Sequence, residues 1–239
     1  AVRSGSVIYI YSTASPAADF QITVEDSLGD NAHNLIKDKA IEFADLPSTA
    51  RNGFIVEVEG NPETEVDDYY VKFETNAGAN YGDGLWVEVA EPGIKTNFDA
   101  DTMPHVLVRQ PDNSWVIKKA DGQAPDSGGY TQNNFGDIWE TLNWTDRNSG
   151  SELTNPTPSF ITNAGTTTIN DIVYFKGRLG LISGEYVSLS EAGEFFNFFR
   201  TTVTQLLDSA PIDVGVGGTD VNKLERAADF SDRLVLFSE

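Results

Sequence analysis

Cysteine is missing altogether from the 239 residues. Neither a disulfide framework nor a thiolate metal site is therefore available, and the redox compartment is left open. Histidine is nearly missing too. The two present, His33 and His105, lie far apart and neither falls in an HExxH or other metal-spaced cluster, so each reads as a surface or internally satisfied side chain. No apolar run approaches the roughly 20 residues of a membrane-spanning helix, and the N-terminus lacks the basic-then-apolar layout of a signal segment. Cations are scarce. Against 37 Asp+Glu stand only 16 Lys+Arg, a formal charge of −21, a balance that repels phosphate backbones and anionic lipid. Stable nucleic-acid binding is not expected. The acids are scattered among aromatic and β-branched residues rather than gathered into tails, which argues against disorder. They read either as a solubilising coat or as a surface that DNA passes without adhering.

What the chain does have is length for one large or two ordinary cores, and strand signals almost throughout. It opens on Ala1 and stops inside LVLFSE, which reads as a piece of something longer. GSVIYIYS (5–12) and DFQITVED (19–26) are expected to pair as a hairpin or meander. GDNAHNLIKDKAIEF mixes helical spacing at Ala32, Leu35 and Ile36 with alternation at Ile41 and Phe43, giving a short helix or turn and then a strand. In ADLPSTARNG, Asp45 is placed to cap a helical turn with Pro47 near its start, and Asn52-Gly53 supplies the reversal into FIVEVEG. DDYYVKFET and GLWVEVAEPG alternate with period two, Tyr70, Lys72 and Glu74 against Tyr69, Val71 and Phe73. The run Asn80 to Gly84 is expected to close their hairpin. HVLVRQ and SWVIKKA pair across Pro111-Asp112-Asn113.

A Gly/Asn/Pro/Ser-rich stretch near 123–136 marks a boundary, with antiparallel β structure and short helical turns over 1–135 and a second domain over 136–239. Beyond it TNPTPSF, NDIVYFKGRLGLIS, EYVSLS, DVGVGG and DRLVLFSE follow one another as short strands, a spacing that suits a propeller or a sandwich.

Motifs that carry chemistry are not found. Asn97-x-Asp99-x-Asp101 opens like a calcium loop, but Thr102 stands where the sharp turn wants Gly and Val108 where a bidentate Glu belongs. The carboxylate pairs Glu57 with Glu59, Asp67 with Asp68 and Glu191 with Glu194 resemble glycosidase pairs only as chance allows in so acidic a chain. Loss of any one of Glu57, Glu59, Glu191 or Glu194 is expected to change stability by no more than about ±0.5 kcal/mol. VGVGG (214–218) lacks the Lys-Ser/Thr of a phosphate loop and reads as a strand end or bulge. Trp86, Trp115, Trp139 and Trp144 offer sugar-stacking faces, but Trp86 and Trp115 alternate inside strands and read as core. Phe195, Phe196, Phe198 and Phe199 would split to both sides of a strand or helix, leaving some exposed unless another surface covers them. The cations have acids beside them: Lys118 and Lys119 precede Asp121, Arg147 follows Asp146, and Arg226 follows Glu225. No catalytic residue, cofactor-binding residue, metal ligand or cofactor is assigned.

The run GRLGLISGEYVSLSEAGEFFNFFRTTVTQLLDSAPIDV resembles the tail tubular protein B family, the nozzle proteins of short-tailed, podovirus-type bacteriophages. So do FADLPSTARNGFIVEVEG, DDYYVKFET with GLWVEVAEPG, TMPHVLVR and TNPTPSF, in order, from about Asp19 to Glu239. The resemblance implies a mainly β fold with a β-propeller-like domain, of which 136–239 would be a part continuing beyond the chain. It implies a structural component of the virion tail, self-associating as a hexameric ring beside an adaptor (tail tubular protein A) and tail fibre proteins, through which DNA passes during ejection. A tail-associated glycan depolymerase and a carbohydrate-binding adhesion module are the rival readings.

Overall fold

The alternation in DDYYVKFET is realised as a central strand in the computed structural model, which describes residues 1–16, 18–25, 27, 34–60, 67–109, 113–123, 138–162, 168–217 and 223–238. The fold is mainly β and its sheets are almost wholly antiparallel. The chain divides into two compact units.

The first unit comprises Ala1–Pro92, Ser149–Thr154 and Thr202–Gln205. Its strands are β1 (Val2–Ser4), β2 (Val7–Tyr9), β3 (Lys39–Ala40), β4 (Thr49–Arg51), β5 (Ile55–Val58), β6 (Tyr69–Thr75) and β7 (Tyr81–Val89). A five-stranded sheet runs β3-β5-β6-β7-β4, with only β3 and β5 parallel. Register sets Val56 beside Val71 and Phe73 beside Trp86 on one face, where Val56, Val58, Val71 and Phe73 are buried. Trp86 closes this core and donates its indole N–H to the Pro47 carbonyl at 2.8 Å. Tyr9, on the β1–β2 hairpin, meets Phe54 and Tyr81 edge to face, and burial pushes its hydroxyl up to about 12. Glu88 shares the inward face of β7 and accepts the Val203 backbone N–H at 2.8 Å and the Thr202 hydroxyl at 2.6 Å, which fastens 202–205 to this unit.

Several boundaries differ from the sequence reading. The β1–β2 pairing lies entirely within the first nine residues, turning at Gly5-Ser6, and 19–25 forms no strand. Phe20, Ile22 and Val24 alternate, but alternation makes a strand only where a neighbour completes the ladder. The strand expected at Ile41 and Phe43 is instead the short β3, after which Phe43–Asp45 makes one 3-10 turn closed by the Asp45 carboxylate on the Glu42 N–H. Asp45 therefore ends this turn, and Pro47 follows it. The β6–β7 hairpin turns at Asn76–Gly78, not at Asn80 to Gly84, because Ala77 and Gly78 both adopt the positive φ that the reversal needs. Gly84 lies inside β7, where a Cβ would fall 2.1 Å from the Glu74 carbonyl oxygen, so the close approach of β6 excludes any side chain there.

The second unit comprises Gly93–Asn148, Asn155–Thr201 and Leu206–Glu239. It holds β8 (His105–Arg109), β9 (Trp115–Lys119), α1 (Ile138–Thr141), α2 (Ser159–Thr162), β10 (Ile169–Phe175), β11 (Arg178–Ser183), β12 (Tyr186–Leu189), β13 (Ile212–Gly215), β14 (Leu224–Phe230) and β15 (Arg233–Ser238). β8 and β9 pair as expected, while residues 110–112 of their connection, the boundary stretch 124–137 with the 135/136 division, and His33 lie outside the described residues. β10 to β13 form a four-stranded antiparallel meander in chain order. One of its faces supplies Leu179 and Leu181 to a core with Met103, Trp144, Phe160 and Phe198. Its other face supplies Val173, Ile182, Val187 and Leu189 to a core closed by Leu224, Ala227, Leu234 and Leu236 of the β14–β15 hairpin, with β14 lying over β10. TNPTPSF is not a strand: Pro156 and Pro158 have no N–H to give a ladder, and α2 begins at Ser159. Nor was β14 marked by composition, since LERAADF is poor in strand formers and pairs because LVLFS lies opposite.

Candidate functional site

The segment Ser190 to Ala210, between β12 and β13, contains the aromatic run and two of the flagged carboxylates. It is irregular, so consecutive side chains are not bound to the period of a helix or strand. Asn197, Phe198 and Phe199 are all buried as a result. Phe196 meets Trp144 edge to face at 5.1 Å, and Phe198 meets Phe160 at 5.1 Å. Phe199 stacks on Phe98 at 4.9 Å, with the Arg147 guanidinium 4.7 Å over its ring. Only Phe195 faces outward, against the exposed Tyr174.

Polar groups knot the turn from beneath. The Asn197 amide donates to Glu191 at 2.6 Å and its carbonyl oxygen accepts the Phe199 N–H at 3.0 Å. Glu191 also accepts the hydroxyls of Thr201 at 3.2 Å and Ser209 at 3.1 Å, while Glu194 is exposed and tied to Glu191 only through the backbone. Arg178, 7% exposed, donates to the carbonyls of Ser190, Asp208, Ser209 and Ala210. Asp213 accepts the Ser188 hydroxyl and both the N–H and hydroxyl of Ser159, pinning α2 to the sheet. A small pocket of about 100 Å³ opens here, lined in part by Phe198, Arg200 and Asp213. Ligand pockets run to several hundred Å³.

Glu191 is therefore not the tolerant surface acid expected from the sequence. Glu191→Gln turns one acceptor oxygen into an amide that faces donors, and is expected to lower the unfolding free energy by about 1–2 kcal/mol. Glu194→Gln should stay within about ±0.5 kcal/mol. Urea midpoints measured side by side test this; equal midpoints would show that Glu191 holds nothing.

The other flagged residues are occupied locally. Glu57 pairs with Lys39 at 2.7 Å, and that hydrogen bond raises the Lys39 pKa. Asp68 accepts the Gly60 N–H at 2.8 Å. Asp99 folds back on the Asp101 N–H at 3.0 Å, and Asp101 pairs with Lys119 at 3.0 Å. Among the described residues no group of three or more His, Asp or Glu is disposed to hold a metal ion, and no helix is long and apolar enough to cross a membrane. His105 bonds the Met103 carbonyl through Nδ1 at 3.1 Å. Trp144 is core and Trp86 closes the other core, but Trp115 is exposed because its strand turns that edge of the alternation outward, contrary to the core expectation. In the VGVGG run Val214 and Gly215 end β13, with Gly215 leaving room for the Tyr186 ring, while Gly218 lies outside the described residues.

Several of the described cations are engaged by acids or enclosed. Lys39, Lys72, Lys118 and Lys119 each lie within 3.0 Å of a carboxylate oxygen. Arg226 lies 3.9 Å from Asp171 rather than beside Glu225. Arg147 needs no acidic neighbour to keep it from phosphate: it is 1% exposed and bonds Thr157 at 2.7 Å. Neither this burial nor that of Arg178 had a signal in the sequence, since arginine is ordinarily exposed.

The whole chain, residues 1–239, matches the sequence model of the bacteriophage nozzle protein family. It is 31% identical over 217 residues to the tail tubular protein gp12 of Escherichia phage T7, a match covering 91% of this chain and 23% of that protein. The chain thus spans about a quarter of the length of the relative it matches. It belongs to the bacteriophage nozzle protein family.

Proposed function

We propose that the chain forms part of the wall of the tail conduit through which DNA is ejected, that it performs no chemistry, and that DNA passes it without being held. The complete protein then self-associates as a hexameric ring, seated against the adaptor (tail tubular protein A) and the tail fibre proteins. The β10–β13 meander reads as one propeller blade and β14–β15 as the opening of the next, because the first strands of the two lie over one another. That would make 136–239 the partial propeller-like domain.

The observation that carries the slippery-wall reading is the state of the cations. With −21 net charge and Lys39, Lys118 and Lys119 held by neighbouring carboxylates, the surface has few cations with which to release counterions from a phosphate backbone. The purified chain is expected to show no retardation of duplex DNA at about 10 mM salt, where a Debye length near 30 Å would expose any basic patch. Tight binding there would sink the idea. Incubation with host surface polysaccharide separates the rivals: a wall protein releases no reducing ends and does not change the migration of the glycan.

A further inference from the structure

Pairing of β8 with β9 gives the hairpin two unlike faces. Val106, Val108 and Val116 occupy the inward face, Val106 packing against the Trp144 core. The outward face carries three directly opposed pairs: His105 with Lys119, Leu107 with Ile117, and Arg109 with Trp115. A solvent face of such a hairpin is ordinarily polar. Here Leu107 is 58%, Trp115 59% and Ile117 72% exposed. Opposed and diagonal neighbours of an antiparallel pair lie within about 5–8 Å, so the three side chains form one continuous apolar stripe. Cations stand at both ends. Lys119 is held by Asp101 and Asp121, whereas Arg109 bonds the neutral side-chain oxygen of Asn113 and meets no carboxylate among the described residues.

We propose that this face docks on a second copy of the chain, and that the contact is heterologous, the stripe of one copy meeting a different, acidic surface of the next. The inference rests on the reading of the chain as part of a wall built from copies. Trp and Arg beside aliphatic anchors are the residues that dominate protein interfaces. The occupant follows from charge: the same 239 residues of a second copy carry 37 Asp+Glu against 16 Lys+Arg, a surplus of carboxylates that complements Arg109. The six paired residues of the hairpin's outward face include no carboxylate, so a contact between two such faces gives Arg109 no acid from them. A head-to-tail contact brings a different surface to Arg109 and closes into a ring when its rotation permits.

The test places a photoreactive benzophenone side chain at Ile117 of the complete protein in assembled tails. Irradiation is expected to join two copies, with the adduct mapping to an acidic segment outside residues 105–119. Arg109→Glu should lower the yield about tenfold or more, and Arg109→Lys should retain most of it. An adduct with a different tail protein, an adduct between two 105–119 hairpins, a yield indifferent to Arg109→Glu, or no adduct at all would overturn the docking proposal. Immunolabelling of the same particles separates the two failures: protein present in the tail without the self-adduct overturns docking alone, and tails that lack the protein overturn the wall reading with it.

Discussion

Arg178→Met is expected to lower the unfolding free energy of the 239-residue chain by about 3 kcal/mol or more. The guanidinium sits among four main-chain carbonyls, at 2.7 Å from Ser190 and Ala210, 2.8 Å from Asp208 and 3.0 Å from Ser209. Three of these lie at the end of the irregular segment, and the fourth, Ser190, at its start directly after β12. One planar fork therefore ties together the two ends of that segment, beside the bond from the Ala192 N–H to the Ser209 carbonyl. Methionine fills the space of the stem but gives the carbonyls no donor, and a buried acceptor left unmade costs far more than a made hydrogen bond contributes. Arg178→Lys should recover only part of the loss, since one ammonium cannot span the same four oxygens. Urea unfolding followed by tryptophan fluorescence measures the effect. A midpoint unchanged in Arg178→Met would mean that water serves these carbonyls equally well.

Phe198→Ala is expected to cost about 3–5 kcal/mol, the range for a buried phenylalanine whose cavity cannot collapse. Its ring lies between Phe160 and Trp144, and these are held in turn by Phe98 and Phe196. Collapse is hindered because neighbouring Phe199 is stacked on Phe98 and Asn197 is bonded to Glu191. Phe195→Ala, on the outward side of the same turn, should stay within about 1 kcal/mol. Thermal and urea unfolding of both variants gives the comparison; a loss of similar size at the two positions would contradict the inside-outside division of the run.

The parts of this fold that were legible in sequence are those where side-chain period and burial agree. Val71 and Phe73 alternate with Lys72 and Glu74, and the sheet has one covered face, so β6 could be read directly. Phe20, Ile22 and Val24 alternate as well, yet among the described residues no neighbouring strand completes them, a fact that no local pattern carries. β14 fails in the opposite sense, its pairing being imposed by its partner. The aromatic run could be read for its residues and not for its shape, because a turn that buries three consecutive side chains obeys no period. Buried Arg178 and Arg147 escape for a different reason: carbonyl oxygens and a phenyl face satisfy them, and neither partner is a residue type that spacing can flag. The tail family, by contrast, was legible from the ordered set of segments around that same run.

The path of the chain between the two units has a bearing on how the protein is made and cut. It passes from one to the other after Pro92, Asn148, Thr154, Thr201 and Gln205. Neither unit is a single contiguous stretch of the chain. A ribosome has released the five-stranded sheet long before Thr202 and Val203 emerge to give Glu88 its donors, so completion of the first unit waits on synthesis through most of the second. Truncation libraries will accordingly yield pieces that each leave a buried carboxylate or a strand edge open, and a reporter domain inserted near Asn148 or Thr201 interrupts both units at once.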